Sequence, residues 1–439
     1  MKKHSFFSTA ICIYLAYFLH GMQAIVISQH RDQFITQWNT DLAGVMSVIA
    51  WTGLAKFVSV WICGEISDRI GRRPMILIGA MGYVFFFGGL LFTRDYAVAC
   101  ACAFLAGAAT SCLDAASYPA LQESFPQSAG SALVLIKGFI SVAGMTYPLL
   151  VGYLAASEFW TVAIWLPFAG SLLLLALSFL VPFSYDAALR LKRNNSGQAA
   201  KKADDKSGLA AEIAAAKARF VSQPKFHLEG VACLLYGFVS MMTFYLIQQV
   251  ITIYGRDVIL MSDMASRALM TYFTAGSLVA VILAACIMSK WVRTLAVLQC
   301  YTLGSLCSIA LMYFVRAPEA TCIAAFGVGF FAAGGAMQAG LAVLGEFFPN
   351  KKGRNLGIYY TFMGLAAYVG PIVCSQLLLY ATAGLEPGSA AYAAAELEGK
   401  VRIILFDLLV AGLGFGLVSL MTLRYKPVFG ISPFSLKNR

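Results

Sequence analysis

"GEISDRIGRRP", Gly64 to Pro74, puts two acids, three arginines and two glycines into one short stretch. The chain on either side is apolar: "VMSVIAWTGLAKFVSVWIC" before it and "MILIGAMGYVFFFGGLLF" after it. Each flank approaches the roughly 20 residues that a helix needs to cross the hydrocarbon core of a bilayer. The charged stretch is therefore expected to be a short link on a membrane surface, joining two spanning helices.

The rest of the chain agrees. Of 439 residues, 60% are hydrophobic and 12% charged, with a mean hydropathy of +0.75. Soluble domains carry about 25% charged residues. The first apolar run, Phe6 to Ser28, exceeds a secretory h-region of about 7–15 residues and has no small-residue cleavage site after it, so it is kept as a helix. The 11 cysteines lie in apolar segments without metal-type spacing and are expected to be small buried hydrophobes. A net charge of +11 would suit nucleic acid in a soluble chain, but in a membrane chain lysine and arginine mark cytoplasmic loops, and no nucleic-acid partner is expected.

Twelve apolar segments span about 6–28, 42–63, 74–93, 96–121, 132–155, 160–183, 231–254, 266–288, 295–315, 320–344, 356–381 and 403–423. They divide the chain into a six-helix bundle over 1–183, a polar cytoplasmic linker over 184–228, and a second bundle with a tail over 229–439. The linker ends in "LAAEIAAAKARF", which suits a short surface helix. Twelve crossings put both termini on one side. That side holds 23 of the 32 lysines and arginines, and the other holds seven: Arg31, Arg94, Arg256, Arg267, Arg316, Lys400 and Arg402. The bias places both termini in the cytoplasm.

The halves repeat. "LQESFPQSAGSALVLIKGFISVAGMTYP" begins at Leu121 and "LGEFFPNKKGRNLGIYYTFMGLAAYVGP" at Leu344, 223 residues later. Leu121, Glu123, Phe125, Pro126, Gly130 and Pro148 fall on Leu344, Glu346, Phe348, Pro349, Gly353 and Pro371 in one ungapped register. Duplicated membrane halves set a substrate site between them, near the bilayer midplane.

With this arrangement the opening stretch resembles the signature of the major facilitator superfamily. That signature lies between helices 2 and 3 and runs Gly, three residues, Asp-Arg, one residue, Gly-Arg-Arg/Lys; Gly64, Asp68, Arg69, Gly71, Arg72 and Arg73 match it. The resemblance covers nearly the whole chain. It implies an all-α membrane protein of twelve transmembrane helices in two pseudo-symmetric six-helix halves, working by alternating access. Physically, the glycines permit a tight turn, and Asp68 can sit near a helix N-terminus and pair with an arginine across the bundle. Such a cluster can hold the cytoplasmic side shut, or the arginines can simply set topology and bind anionic lipid. Glu123 and Glu346, at the same face, are candidate partners of the cluster.

Ionisable groups within spanning helices are costly and mark function. His20, Lys56, Asp114 and Lys137 are of this kind, while Asp407 is expected near an outer end, within reach of water. Asp114 lies 12 residues before Pro126 and Lys137 lies 11 after it. At about 1.5 Å per residue both fall roughly 16–18 Å from the turn, so they can neutralise each other on adjacent helices, as a switch or as a static bridge. The superfamily's sugar and organic-acid symporters similarly use acid and base side chains on these two helices. Tyr17, His20 and Gln23 recur every three residues and share one face. By the resemblance, helices 1, 4, 7 and 10 line the cavity, which adds Tyr245, Gln248, Gln249 and Gln338. Lys56 is expected to snorkel toward the cytoplasmic end.

The superfamily's drug–proton antiporters carry a Gly-Pro, two residues, Gly-Gly signature on helix 5. Here "GMTYPLLVGY" has Tyr147-Pro148 and only one closing glycine, Gly152. The expected function is therefore proton-coupled symport of a small polar solute, a sugar or organic acid, with multidrug antiport as the alternative. No nucleotide-binding P-loop or soluble catalytic domain is present, so no enzyme activity, cofactor or metal is expected. The expected unit is a monomer in the cytoplasmic (inner) membrane, with the lipid bilayer, a small-molecule substrate and a proton as its partners.

Overall fold

The computed structural model describes residues 7–125, 129–155, 159–183, 220–287, 292–349 and 352–435. They are helical throughout, with no strand among them. In a bilayer every backbone N–H and C=O must find its partner within its own segment, and a helix does this.

The first crossing, α1, is broken into Phe7–Gln23, Val26–Gln29 and Arg31–Gln37. The other eleven are long and apolar enough to span: α2 Leu42–Ile70, α3 Arg72–Phe92, α4 Tyr96–Ser124, α5 Ala129–Leu154, α6 Val162–Leu180, α7 Phe226–Val258, α8 Asp263–Ile287, α9 Thr294–Phe314, α10 Pro318–Phe347, α11 Lys352–Thr382 and α12 Ala390–Phe429. Side chains such as Phe85, Leu173, Leu180, Leu409 and Leu413 stand exposed on the outside of the bundle, where lipid replaces water. The face on which α1 starts and α12 ends is the terminal face below; the other is the opposite face.

Three local expectations are corrected. The charged stretch is helix almost throughout: α2 runs on through Gly64 to Ile70, and only Gly71 turns, at a φ of 107°. The pair Glu65 with Arg69 (3.2 Å), one helical turn apart, supports this extension, and Asp68 with Arg72 (2.7 Å) spans the Gly71 turn to the first residue of α3. At the other end, α12 starts well before its apolar run. "AAYAAAELEGKVR" is rich in alanine, Ser389 caps it by accepting from the Tyr392 N–H at 3.1 Å, and Glu396–Lys400 and Glu398–Arg402 each pair at 2.7 Å. Finally, Cys300 and Cys307 are exposed rather than buried. The linker over 184–219, including most of its expected surface helix, lies outside the described residues; Val221 donates its N–H to the Val428 carbonyl at 2.7 Å, joining the linker's end to the end of α12.

Across the halves, α2 packs on α11 and α5 on α8. At the α2–α11 seam a Cβ on Gly53 would collide with the Ala367 backbone, and one on Gly364 would stand 2.9 Å from the Phe57 Cα. Glycine here lets the two backbones touch, the usual device where lipid gives no hydrophobic drive for helix association. Pro148 and Pro371, aligned by the repeat, both lie inside their helices, α5 and α11.

Candidate functional site

At mid-depth in the N-terminal half, α1 and α4 meet through a hydrogen bond. Tyr17, a residue 2% exposed, donates its hydroxyl to Asp114 Oδ1 at 2.7 Å. Tyr118 packs edge-on against Tyr17 with ring centroids 5.6 Å apart. One turn along α1, His20 Nδ1 lies 3.0 Å from the Tyr83 hydroxyl, which is 3.0 Å from Thr110 Oγ1. Gln23 is buried on the same face, within reach of His20. Tyr17, His20, Gln23 and Asp114 are thus brought together, with Tyr83 and Thr110 added to them.

Asp114 and Lys137 do not form an ion pair within 4 Å; the bonded partner of Asp114 is Tyr17. The charges of Lys56 and Lys137 both reach Asp114 and His20. Lys56, expected to turn toward the terminal face, is thus also within electrostatic range of the cluster. Opposite this cluster, Asp114 acts on Tyr360 of α11 in the other half. Tyr360 stands 223 residues after Lys137, so the repeat puts it at the matching position of the second half. That offset was the available signal for it.

The C-terminal residues named from sequence are dispersed. Gln249 Nε2 donates to the Ala24 carbonyl at 3.0 Å, at the break in α1, so it helps to seal the halves together. Tyr245 and Gln248 are half-buried on the same helix. Gln338 is exposed in the first turn of Ala336–Phe347, just past the π-helical turn Gly329–Ala333 that interrupts α10.

On the terminal face, Arg72 is the hub. It donates to Ser67 Oγ (2.8 Å), Asp68 Oδ1 (2.7 Å) and Glu123 Oε1 (3.0 Å), while Arg73 donates to the Ser178 carbonyl at 3.0 Å. Glu123 therefore joins the signature cluster. Asp68 meets the first turn of α3 through Arg72, across the Gly71 turn. Arg69 is exposed with Glu65, and Gly64 has open space around it. Glu346 accepts from the Tyr425 hydroxyl at 2.6 Å, within its own half.

The opposite face holds a feature missed from sequence. Arg31 lies 3.6 Å from Asp257, and Arg256 donates to Asp32, with a second contact at 3.3 Å. The two Arg-Asp dipeptides, in "HRDQF" and "YGRDV", open the last segment of α1 and close α7, and clamp reciprocally across the halves. Their 225-residue separation is close to the repeat offset. Lys400 of α12 adds a 2.8 Å bond to Asp257. Beneath the clamp, Gln29 Nε2 donates to Thr252 Oγ1 at 3.0 Å and Arg267 donates to the Gln29 carbonyl at 2.5 Å. Burial pushes the Asp32 carboxyl up, but Arg31 and Arg256 outweigh it and hold the group below the usual carboxylate range.

The profile of the Major Facilitator Superfamily matches residues 6–371. Across 423 residues the chain is 34% identical to the uncharacterized MFS-type transporter YfkL of Bacillus subtilis (strain 168), covering 96% of this chain and 98% of that one. Across 422 residues it is 33% identical to the inner membrane transport protein YdiM of Escherichia coli (strain K12), covering 96% and 95%. Among solved structures, a D-xylose-proton symporter superposes with a TM-score of 0.66 at 16% identity, over 93% of this chain and 97% of that one.

Proposed function

The chain belongs to the Major Facilitator Superfamily of transporters, and from that membership we propose that it moves a small polar solute, a sugar or organic acid, by alternating access coupled to proton influx. The observation that carries this reading is the Asp114 centre. A carboxyl group at mid-depth receives one hydroxyl bond from Tyr17, lies in the field of two lysines, and acts on Tyr360 across the seam. A proton on Asp114 weakens its hold on Lys56 and Lys137 and frees both for a solute carboxylate. For a sugar, the same acid and the Tyr17, His20 and Tyr360 side chains offer hydroxyl partners. Protonation and solute binding are linked in either case.

The Arg-Asp clamp closes the opposite face, and the Arg72 cluster with Asp68 acts at the terminal face, which is the cytoplasmic one on the charge bias. The protein acts as a monomer in the cytoplasmic membrane. Departure from the helix-5 antiporter signature at Tyr147-Pro148 favours symport over drug efflux.

The test is uptake into proteoliposomes under an imposed pH gradient, acid outside, with a pH dye inside. Labelled sugars and carboxylates are compared with lipophilic cations. Accumulation of a sugar or carboxylate with interior acidification is expected. Extrusion of lipophilic cations, with no polar solute moved, would replace this reading with drug antiport.

A further inference from the structure

Asp407 is not near water. It is 0% exposed, well inside α12, and neither carboxyl oxygen has a hydrogen-bond partner. The helices packed on α12 are α7, α9, α11 and the last turn of α7. Within Val231–Ile253 of α7 and within α9 the sequence has no Asp, Glu, His, Lys or Arg. In the last turn of α7, Arg256 and Asp257 are engaged by Asp32 and Lys400. Lys400, two turns from Asp407 on its own helix, is held by Asp257 and Glu396. On α11 the titratable side chain facing Asp407 is the Cys374 thiol, and the charged residues Lys352 and Arg354 are at the distant end of that helix. An ionised carboxylate in this site would have neither a donor nor a cation, which a low-dielectric interior penalises heavily.

We propose that Asp407 is a proton-binding site of the C-terminal half, separate from Asp114, occupied by a proton in this conformation and exchanging it with water as the half rearranges. A polar cavity lies close by on the same helix. One turn further along α12, Ala411 borders a small cavity that Gly414 also lines, together with the polar side chains Ser240, Thr243, Thr302 and Ser305. Its volume of about 20 Å³ has room for a single water, and its hydroxyls supply the partners a water needs. The step is a plain proton transfer: the Asp407 O–H breaks, the proton passes to water, and the carboxylate is left where water can solvate it. The proposal deepens the reading of proton coupling, but the protonation state itself is measured without a solute.

Infrared difference spectra of the purified full-length protein test it, in water and in deuterium oxide at neutral pH. A carbonyl stretch of a protonated carboxylic acid should be present, shift on deuteration, disappear in Asp407→Asn and persist in Asp114→Asn. If Asp407→Asn does not fold, Asp407→Glu keeps the acid and should displace the same band. A band that no Asp407 variant moves would overturn the site, and one that moves with the variants but never shifts in deuterium oxide would overturn the exchange. Loss of proton-driven uptake in Asp114→Asn with the Asp407 band intact would leave both inferences standing; absence of any proton coupling with the band present would remove only the transport reading.

Discussion

Asp114 shows how far single residues can be read from a sequence. An acid inside an apolar helix stands out by cost alone, and so do His20 and Lys137. Depth along two helices was also legible, because rise per residue is fixed. Azimuth was not: equal depth for Asp114 and Lys137 did not make them touch, and the hydroxyl of Tyr17 took the bond instead. Lys56 was assigned to the surface because a long side chain can turn either way, yet its charge reaches Asp114 as that of Lys137 does. Which lysine couples more closely to Asp114 is testable. In double-mutant cycles read by thermal stability in detergent, Asp114→Asn should couple more strongly to Lys56→Ala than to Lys137→Ala, with energies in the range of about 0.5–3 kcal/mol for interacting neighbours. The reverse order would return Lys137 to the place of partner. In proteoliposomes, Asp114→Asn should lose proton-driven accumulation while keeping solute exchange without a gradient; normal accumulation would exclude Asp114 from coupling.

Among the elements, α2 and α11 carry most of the contact between halves, and their seam depends on glycine. Gly53→Ala places a methyl group against the Ala367 backbone, which cannot move as a side-chain tip can. The variant should weaken the state closed at the opposite face and raise cysteine labelling there several-fold; labelling at the wild-type level would mean that the seam yields without opening. Asp68 sits at the other end of α2. Asp68→Asn removes one anion from the Arg72 hub and should slow transport while leaving solute affinity within a few-fold, because the hub is remote from Asp114. Unchanged transport would reduce the signature to a topological role. The existence and order of the spanning helices were legible from apolar runs. Their ends were not, since the extensions of α2 and α12 rest on polar residues stabilised by pairs one turn apart, which a hydropathy reading discards. The break in α1 follows from bonds to α7 that only the folded pair makes.

For the whole molecule, the repeat supplied two halves but not the clamp between them. Of the seven basic residues counted on the opposite face, Arg31, Arg256, Arg267, Lys400 and Arg402 are each paired with acid. They were read as sparse topological charge, whereas a reciprocal Arg-Asp pair needs the fold to bring both copies together. Asp257 is the stronger half of the device. It meets Arg31, Arg256 and Lys400, whereas Asp32 meets Arg31 and Arg256. Asp257→Asn should therefore open the opposite face more than Asp32→Asn, read as labelling of a cysteine placed at Thr252 by an impermeant reagent on a background without other cysteines. Exchanging the charges, Asp32→Arg with Arg256→Asp, should recover much of the closure that Asp32→Arg alone destroys. The Asp32 carboxyl is held below its ordinary value by Arg31 and Arg256 against the opposing effect of burial. A depressed carboxyl contributes its stabilisation above the unfolded value of about 3.9 and loses it only as pH falls through the lower folded value. Labelling at Thr252 should accordingly be flat from about pH 5 to pH 8 if the clamp alone governs it. A step within that range that persists in Asp32→Asn would assign pH control of closure to groups elsewhere, such as the Asp114 centre; a step that Asp32→Asn abolishes would contradict the clamp's ionisation as described.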